Sequence, residues 1–152
     1  PTRGTRTMLA YTLQFDLLYW PLWCDAREIG KWDQVRQRFG MADTPMEVVE
    51  FVPYWENRAF PASDGKVKVG YYEKIRQHDP DVAFDRSKKY LLVVSNLQFA
   101  DSEFTVALPE KLAAPKAVDA LGNTVLPVRD NRISLSLKAY DFALVEITGE
   151  ME

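Results

Sequence analysis

Two aspartates, Asp16 and Asp25, bracket the apolar run Leu-Leu-Tyr-Trp-Pro-Leu-Trp-Cys, and acids in such a position are the first groups whose chemistry must be weighed. Hydrolysis by carboxyl groups needs two of them, about 5 to 10 Å apart across the bond that breaks, one to donate a proton and one to act as base or nucleophile. Spacing identifies no partner for either aspartate, and Asp25 is better suited to cap a helix starting near Arg27. Trp20, Trp23, Trp32, Tyr54 and Trp55 are flat and apolar enough to stack on sugar rings, although aromatic side chains at a junction more often bury area there. Tyr71 and Tyr72 fall on opposite faces of one strand. His78, the single histidine, sits in the loop-like segment Arg-Gln-His-Asp-Pro with no cysteine or serine motif beside it. Cys24, the single cysteine, forms no internal disulfide and reads as a small buried hydrophobe rather than a nucleophile. No catalytic residue, metal site or cofactor is assigned. Trp20, Trp23, Asp25, Tyr54 and Trp55 are the candidates for touching a substrate.

Composition narrows the classes further. With 152 residues and 47% hydrophobic content, the chain can bury one core but is too short for a complete (β/α)₈ barrel. A formal net charge of -3 provides no basic field for phosphates, so nucleic acid is not an expected partner. No apolar run reaches the roughly 18 residues that cross a bilayer, and the start lacks the basic-then-apolar pattern of a signal peptide. The first residue, Pro1, fits removal of an initiator Met and fits equally a segment cut from a longer protein. No compartment is read from the chain itself.

The elements that must position these residues come in two textures. Before Gly40 the apolar spacing is helical. Leu9, Leu13 and Leu17 recur every four residues, while Ile29, Trp32, Val35, Arg36 and Phe39 form a stripe that Gly40 terminates. From Met46 the period falls to two. Strands are expected at Glu47 to Val52, Lys66 to Ile75, Lys89 to Leu97, Glu103 to Leu108, Lys116 to Ala120, Thr124 to Val128, Arg132 to Leu137 and Phe142 to Thr148. Asp64-Gly65, Gly122-Asn123 and Asp130-Asn131 suit tight turns. Leu91 to Val94 is apolar on both sides, which places that strand centrally with something packed over its back. Val93 and Leu135 are expected inside the sandwich. The fold class is therefore mainly β: an antiparallel two-sheet β-sandwich of about eight strands with an N-terminal helical segment, divided as 1–45 and 46–152.

The order Val-Val-Ser-Asn-Leu ending at Leu97, Phe104-Thr-Val-Ala-Leu, Ala117-Val-Asp-Ala-Leu-Gly-Asn, Ile133-Ser-Leu-Ser-Leu and Tyr140-Asp-Phe-Ala-Leu-Val resembles the C-terminal β-sandwich of glycoside-hydrolase-like proteins, in the style of barrel enzymes such as α-galactosidases. The resemblance runs from about Glu50 to the end. Thr5 to Asp16 and Phe51 to Asn57 resemble the end of the barrel and its bridge to the sandwich, which makes Phe15 to Trp20 a late barrel strand and Arg27 to Phe39 its following helix. Acids beside that strand's end would then face substrate. The resemblance implies a non-catalytic accessory module that stabilises the remainder of a glycosidase barrel, within a parent of the kind that is secreted, and helps seat a saccharide. It implies no turnover by the chain alone. Two other classes stay open: a free-standing carbohydrate-binding sandwich, which needs an exposed row of coplanar aromatics, and a protein-interaction sandwich. Leu17, Leu18, Trp20, Leu22 and Trp23 form an apolar surface that must pack over one sheet or make a homodimer.

Overall fold

A computed structural model describes residues 2–17, 23–41, 47–76 and 86–152. Helix α1 (Thr2–Thr12) runs into a 3₁₀ turn (Leu13–Phe15), and α2 (Ala26–Phe39) follows. The strands are β1 (Glu47–Val52), β2 (Val67–Arg76), β3 (Ser87–Asn96), β4 (Ser102–Ala107), β5 (Leu112–Asp119), β6 (Thr124–Leu126), β7 (Arg132–Leu137) and β8 (Asp141–Met151). All pair antiparallel, in a six-stranded sheet ordered β1-β2-β3-β8-β5-β6 and a two-stranded sheet β4-β7. The expected class and strand positions hold, with ends displaced by a few residues. The largest displacement is in β5, which starts before Pro115 because a bulge between Ala113 and Lys116, with Ala114 at φ 46°, carries the strand past the proline.

Local chemistry accounts for the helix ends and turns. Asp25 is extended, at φ -74° and ψ 109°, and its carboxylate accepts from the Arg27 N–H, which makes it the N-cap of α2. Gly40 closes that helix in the left-handed region at φ 93°, where its N–H reaches the carbonyls of Arg36 and Gln37. Asp130 and Asn131 take φ 50° and 59° between Arg129 and Arg132, the two-residue turn whose twist suits antiparallel strands.

The six-stranded sheet is covered on both faces. On one, Tyr90, Leu92 and Val94 of β3 meet Phe104 and Val106 of β4 and Ile133 and Leu137 of β7. On the other, Leu91 and Val93 of β3, with Phe142 and Leu144 of β8, meet Leu9 and Leu13 at the N-terminus and Ile29, Trp32, Val35 and Phe39 of α2. Strand β3 is thus central and double-faced, as its apolar run requires. Val93 is fully buried but on the helix face, not inside the sandwich, because the odd positions of β3 point away from the second sheet. Leu135 does face the sandwich core, only partly covered. Tyr71 and Tyr72 take opposite faces, and neither is exposed.

Polar groups fix how the helices lie. Gln14, completely buried, donates through Nε2 to the carbonyls of Lys68 at 3.2 Å and Val93 at 2.9 Å, and to Ser95 Oγ at 2.9 Å. Ser95 Oγ in turn donates to the Ala10 carbonyl at 2.7 Å. Gly70 leaves room for this amide: a Cβ there would stand 3.2 Å from Gln14 Oε1 and 3.3 Å from the Val52 carbonyl. Arg6 joins three elements, pairing with Glu28 of α2 at 3.0 Å and Asp141 of β8 at 2.8 Å while its guanidinium lies over the Phe142 ring. The helices and the strands therefore share a hydrophobic core. The helices pack over one sheet through Leu9, Leu13, Ile29, Trp32, Val35 and Phe39, but not through the apolar surface expected to do so: Leu17 and Trp23 are exposed, and Leu18, Trp20 and Leu22 lie outside the described residues.

Candidate functional site

The 3₁₀ turn after α1 ends at Asp16, whose φ of 51° reverses the chain; the Asp16 N–H donates to the Leu13 carbonyl at 3.4 Å and the Leu17 N–H to the Thr12 carbonyl at 3.2 Å. This left-handed residue breaks the four-residue stripe. Leu9 and Leu13 are buried, but Leu17, expected on the same face, is 53% exposed, and Phe15 is 47% exposed. Phe15 to Leu17 form a turn rather than the start of a barrel strand, and the remainder of that expected strand, Leu18 to Trp20, lies outside the described residues, as does Leu22.

After β1 ends at Val52, the chain turns from Pro53 through Tyr54 and Trp55, with the Glu56 N–H donating to the Pro53 carbonyl at 3.0 Å and the Asn57 N–H to the Tyr54 carbonyl at 3.3 Å. Asn57 locks the turn from beneath. Its Nδ2 donates to the carbonyls of Phe60 and Val69, both at 2.9 Å, and its Oδ1 accepts from the Phe60 N–H at 3.0 Å. Because Gln14 ties the 3₁₀ turn to Lys68 on β2, Phe15 arrives against this turn. Its ring centroid is 5.9 Å from Trp55 and 6.3 Å from Tyr54, while Tyr54 and Trp55 stand 5.1 Å apart, nearly perpendicular at 87°. Lys68 Nζ lies 5.0 Å over the Tyr54 ring. The result is an aromatic cluster with Leu17 close in sequence, with Trp55 51% exposed and a cation beside it.

The rings meet edge to face or tilted, so they do not make the coplanar row on a sheet that a free-standing sugar-binding sandwich needs. The two candidate acids are occupied elsewhere. Asp25 Oδ2 accepts from Thr2 Oγ1 at 2.5 Å and its carboxylate also holds Arg27; the Thr2 hydroxyl first, and Arg27 second, keep it well below the usual carboxylate range. A carboxylate so held does not donate a proton near neutral pH. Asp16 accepts from the Tyr72 hydroxyl at 2.7 Å, and burial, reinforced by that bond, pushes the Tyr72 phenol far above its ordinary range. Among the described residues no group of three His, Cys, Asp or Glu side chains could hold a metal.

The five candidates thus separate. Tyr54 and Trp55 come together; Asp25 serves α2 as its cap; Trp23, at φ 65°, is 95% exposed; Trp20 lies outside the described residues, as does the loop histidine His78. Cys24 is half-buried, its Sγ 3.7 Å from Met8 Sδ. Trp32 packs in the core, its ring 6.4 Å from Tyr72. Spacing missed Phe15, since no glycine or proline marks the reversal at Asp16, and it missed Lys68, which meets Tyr54 only in the folded chain. No protein-family model matches this chain, and a comparison with curated proteins finds no match.

Proposed function

We propose that this chain is a non-catalytic accessory module of a glycoside hydrolase, with the cluster of Phe15, Tyr54 and Trp55 as the surface that meets the remainder of a catalytic barrel near its mouth. The carrying observation is the exposure of that cluster: Phe15 and Trp55 each leave about half their surface to solvent although hydrogen bonds from Asn57 and Gln14 fix the two turns that carry them. Ordered, exposed aromatic area is characteristic of the centre of a docking surface. The engagement of Asp25 as a helix cap and of Asp16 by Tyr72 supports a role without turnover.

The reading is tested with the reading frame that precedes Pro1. It should encode the earlier part of a (β/α)₈ barrel, and that part, produced separately, should bind this chain with an affinity that Phe15→Ser with Trp55→Ser weakens by about tenfold or more. The chain alone should not hydrolyse aryl glycosides. A frame without a barrel, or hydrolysis by the isolated chain that is lost on mutating one of its own acids, overturns the proposal.

A further inference from the structure

The two-stranded sheet has unequal edges. Beside β4 the edge is closed: the Ala107 N–H donates to the Pro61 carbonyl at 3.0 Å, the Ser63 N–H donates to the Thr105 carbonyl at 2.8 Å, and Ala62 bridges Val106. Those bonds reveal which way the backbone points. Thr105 and Ala107 turn their groups away from β7, so their register partners Ser134 and Arg132 must turn theirs away from β4, and alternation adds Ser136. Arg132 is satisfied by reciprocal bonds with Arg129, at 2.9 and 3.0 Å. Ser134 and Ser136 each present an N–H and a C=O along the open edge, and among the described residues no backbone group pairs with them there.

This edge borders a cleft of about 530 Å³ between the sheets, whose apolar wall includes Leu126, Leu135, Ala143 and Val145 and whose charged wall, Arg6 and Lys31 with Asp119 and Asp141, balances in sign. Natural edges are commonly blunted by a proline, a bulge or an inward charge, and Ser134 to Leu137 carry none of these. Exposed cations flank the open stretch instead: Arg129 and Arg132 at one end, Lys138 at the other, with no ion pair to any of the three among the described residues. Asp130 offsets one of them.

We propose that the open edge of β7 receives an extended peptide segment of a partner protein, acidic at both ends and alternating apolar in its middle, as the third strand of the small sheet. Backbone bonds to Ser134 and Ser136 would supply the pairing, and alternate side chains would enter the cleft over Ala143 and Val145. The flanking charges select this occupant over a second copy of the chain. The antiparallel register that pairs Ser134 of one copy with Ser136 of another also sets Arg132 opposite Lys138 at both ends, and like charges directly opposite are destabilising. An acidic-flanked strand reverses that sign at each end. The proposal does not depend on the accessory-module reading, since the edge and the aromatic cluster share no residue.

The test uses the full chain and three labelled synthetic peptides followed by fluorescence anisotropy: Asp-Asp-Val-Thr-Val-Thr-Val-Asp-Asp, the same peptide with lysines at its ends, and the acidic peptide N-methylated throughout its centre. The acidic peptide should bind at least about tenfold more tightly than either control and should slow amide exchange at Ser134 and Ser136. Ser136→Pro, which removes a donor that β4 does not use, should weaken binding by about tenfold while leaving the thermal midpoint within a few degrees. If that variant fails to fold, the N-methylated peptide asks the same question of an unaltered protein. Failure of the acidic peptide to bind at about 1 mM, equal binding of all three peptides, or protection confined to other amides overturns the proposal. So does a dimer of the chain alone that protects Ser134 and Ser136.

Discussion

Both faces of the six-stranded sheet bury an apolar cluster, but the amide that anchors each is satisfied to a different degree. On the sandwich face Asn96, completely buried, donates through Nδ2 to the carbonyls of Ala100, Leu137 and Lys138 and accepts at Oδ1 from Gln98, so both ends of its amide are used. On the helix face the Gln14 Nε2 shares its two hydrogens among three acceptors, yet its Oε1 is buried without a partner among the described residues. Apolar burial draws either layer onto the sheet but is not directional. Each amide supplies the direction, and the helix face bears a desolvation cost that the sandwich face avoids.

The largest effects should come from the apolar layers themselves. Leu92 on the sandwich face and Leu144 on the helix face are both fully buried, and truncating either to Ala should cost about 2 to 5 kcal/mol through lost contacts and an unfilled cavity. Because the sheet is common to both cores, each variant should still unfold in one step, with far-ultraviolet circular dichroism and tryptophan fluorescence coincident. A helical signal that melts ahead of the strands in Leu144→Ala would split the faces into separate units.

Next come the amides. Asn96→Ala should cost about 3 kcal/mol, since it removes the bonds to the Ala100, Leu137 and Lys138 carbonyls and the acceptor of Gln98, whereas Gln14→Met should cost about 1 kcal/mol because it also removes an unpaired acceptor. Chemical denaturation measures both, and the reverse order would show that Gln14 Oε1 has a partner in solution.

Two glycines sharpen the same contrast. A Cβ at Gly149 would stand 2.7 Å from Leu112 Cγ and 3.0 Å from the Ala113 carbonyl, while one at Gly70 would meet Gln14 Oε1 at 3.2 Å. Gly149→Ala should therefore cost about 2 kcal/mol by overpacking and Gly70→Ala about 1 kcal/mol, both read from the denaturation midpoint. Equal costs would mean that the Gln14 anchor is as rigid as the strand backbone.

The smallest expected effect is electrostatic. Glu28 is held below its ordinary range by its bond from Lys31 and then by Arg6, and Asp64 by the Ser102 hydroxyl and then the Lys66 N–H. A carboxylate whose folded value is depressed contributes stability above its unfolded value, near 4, and loses that contribution as pH falls through the folded value. Melting temperatures should thus be level at about pH 6 and decline toward about pH 3, with Glu28→Gln lower at neutral pH and shallower in its acid decline. An unchanged acid slope in that variant would remove the Arg6, Glu28 and Lys31 cluster from the helix face's balance.

The strands were legible because a half-buried antiparallel strand writes its two faces into alternate residues, as Ile133 and Leu137 against Ser134 and Ser136. That same signal fails where both faces are apolar. Val93 and Leu92 are equally hydrophobic neighbours, and only the partners on each side tell the helix face from the sandwich face. The candidate site was half legible: Tyr54 and Trp55 stand out as adjacent aromatics after Pro53, but Phe15 joins them through a glutamine bond that spans 54 residues. The four-residue spacing of Leu9, Leu13 and Leu17 misled because a single non-glycine residue in the left-handed region ended the helical path.

Residue types alone settle the features that depend on a few neighbouring dihedrals: the cap at Asp25, the stop at Gly40, the turn at Asp130-Asn131 and the eight alternating stretches. Backbone sterics and local hydrogen bonds act over three or four residues, and those are visible in any short window. The placement of β8 between β3 and β5, the choice of which face receives the helices, the meeting of Phe15 with Trp55 and the open edge of β7 belong to the folded chain. They arise from contacts distant in sequence, where burial rewards many pairings almost equally and a few buried polar groups, Gln14 and Asn96 among them, choose one.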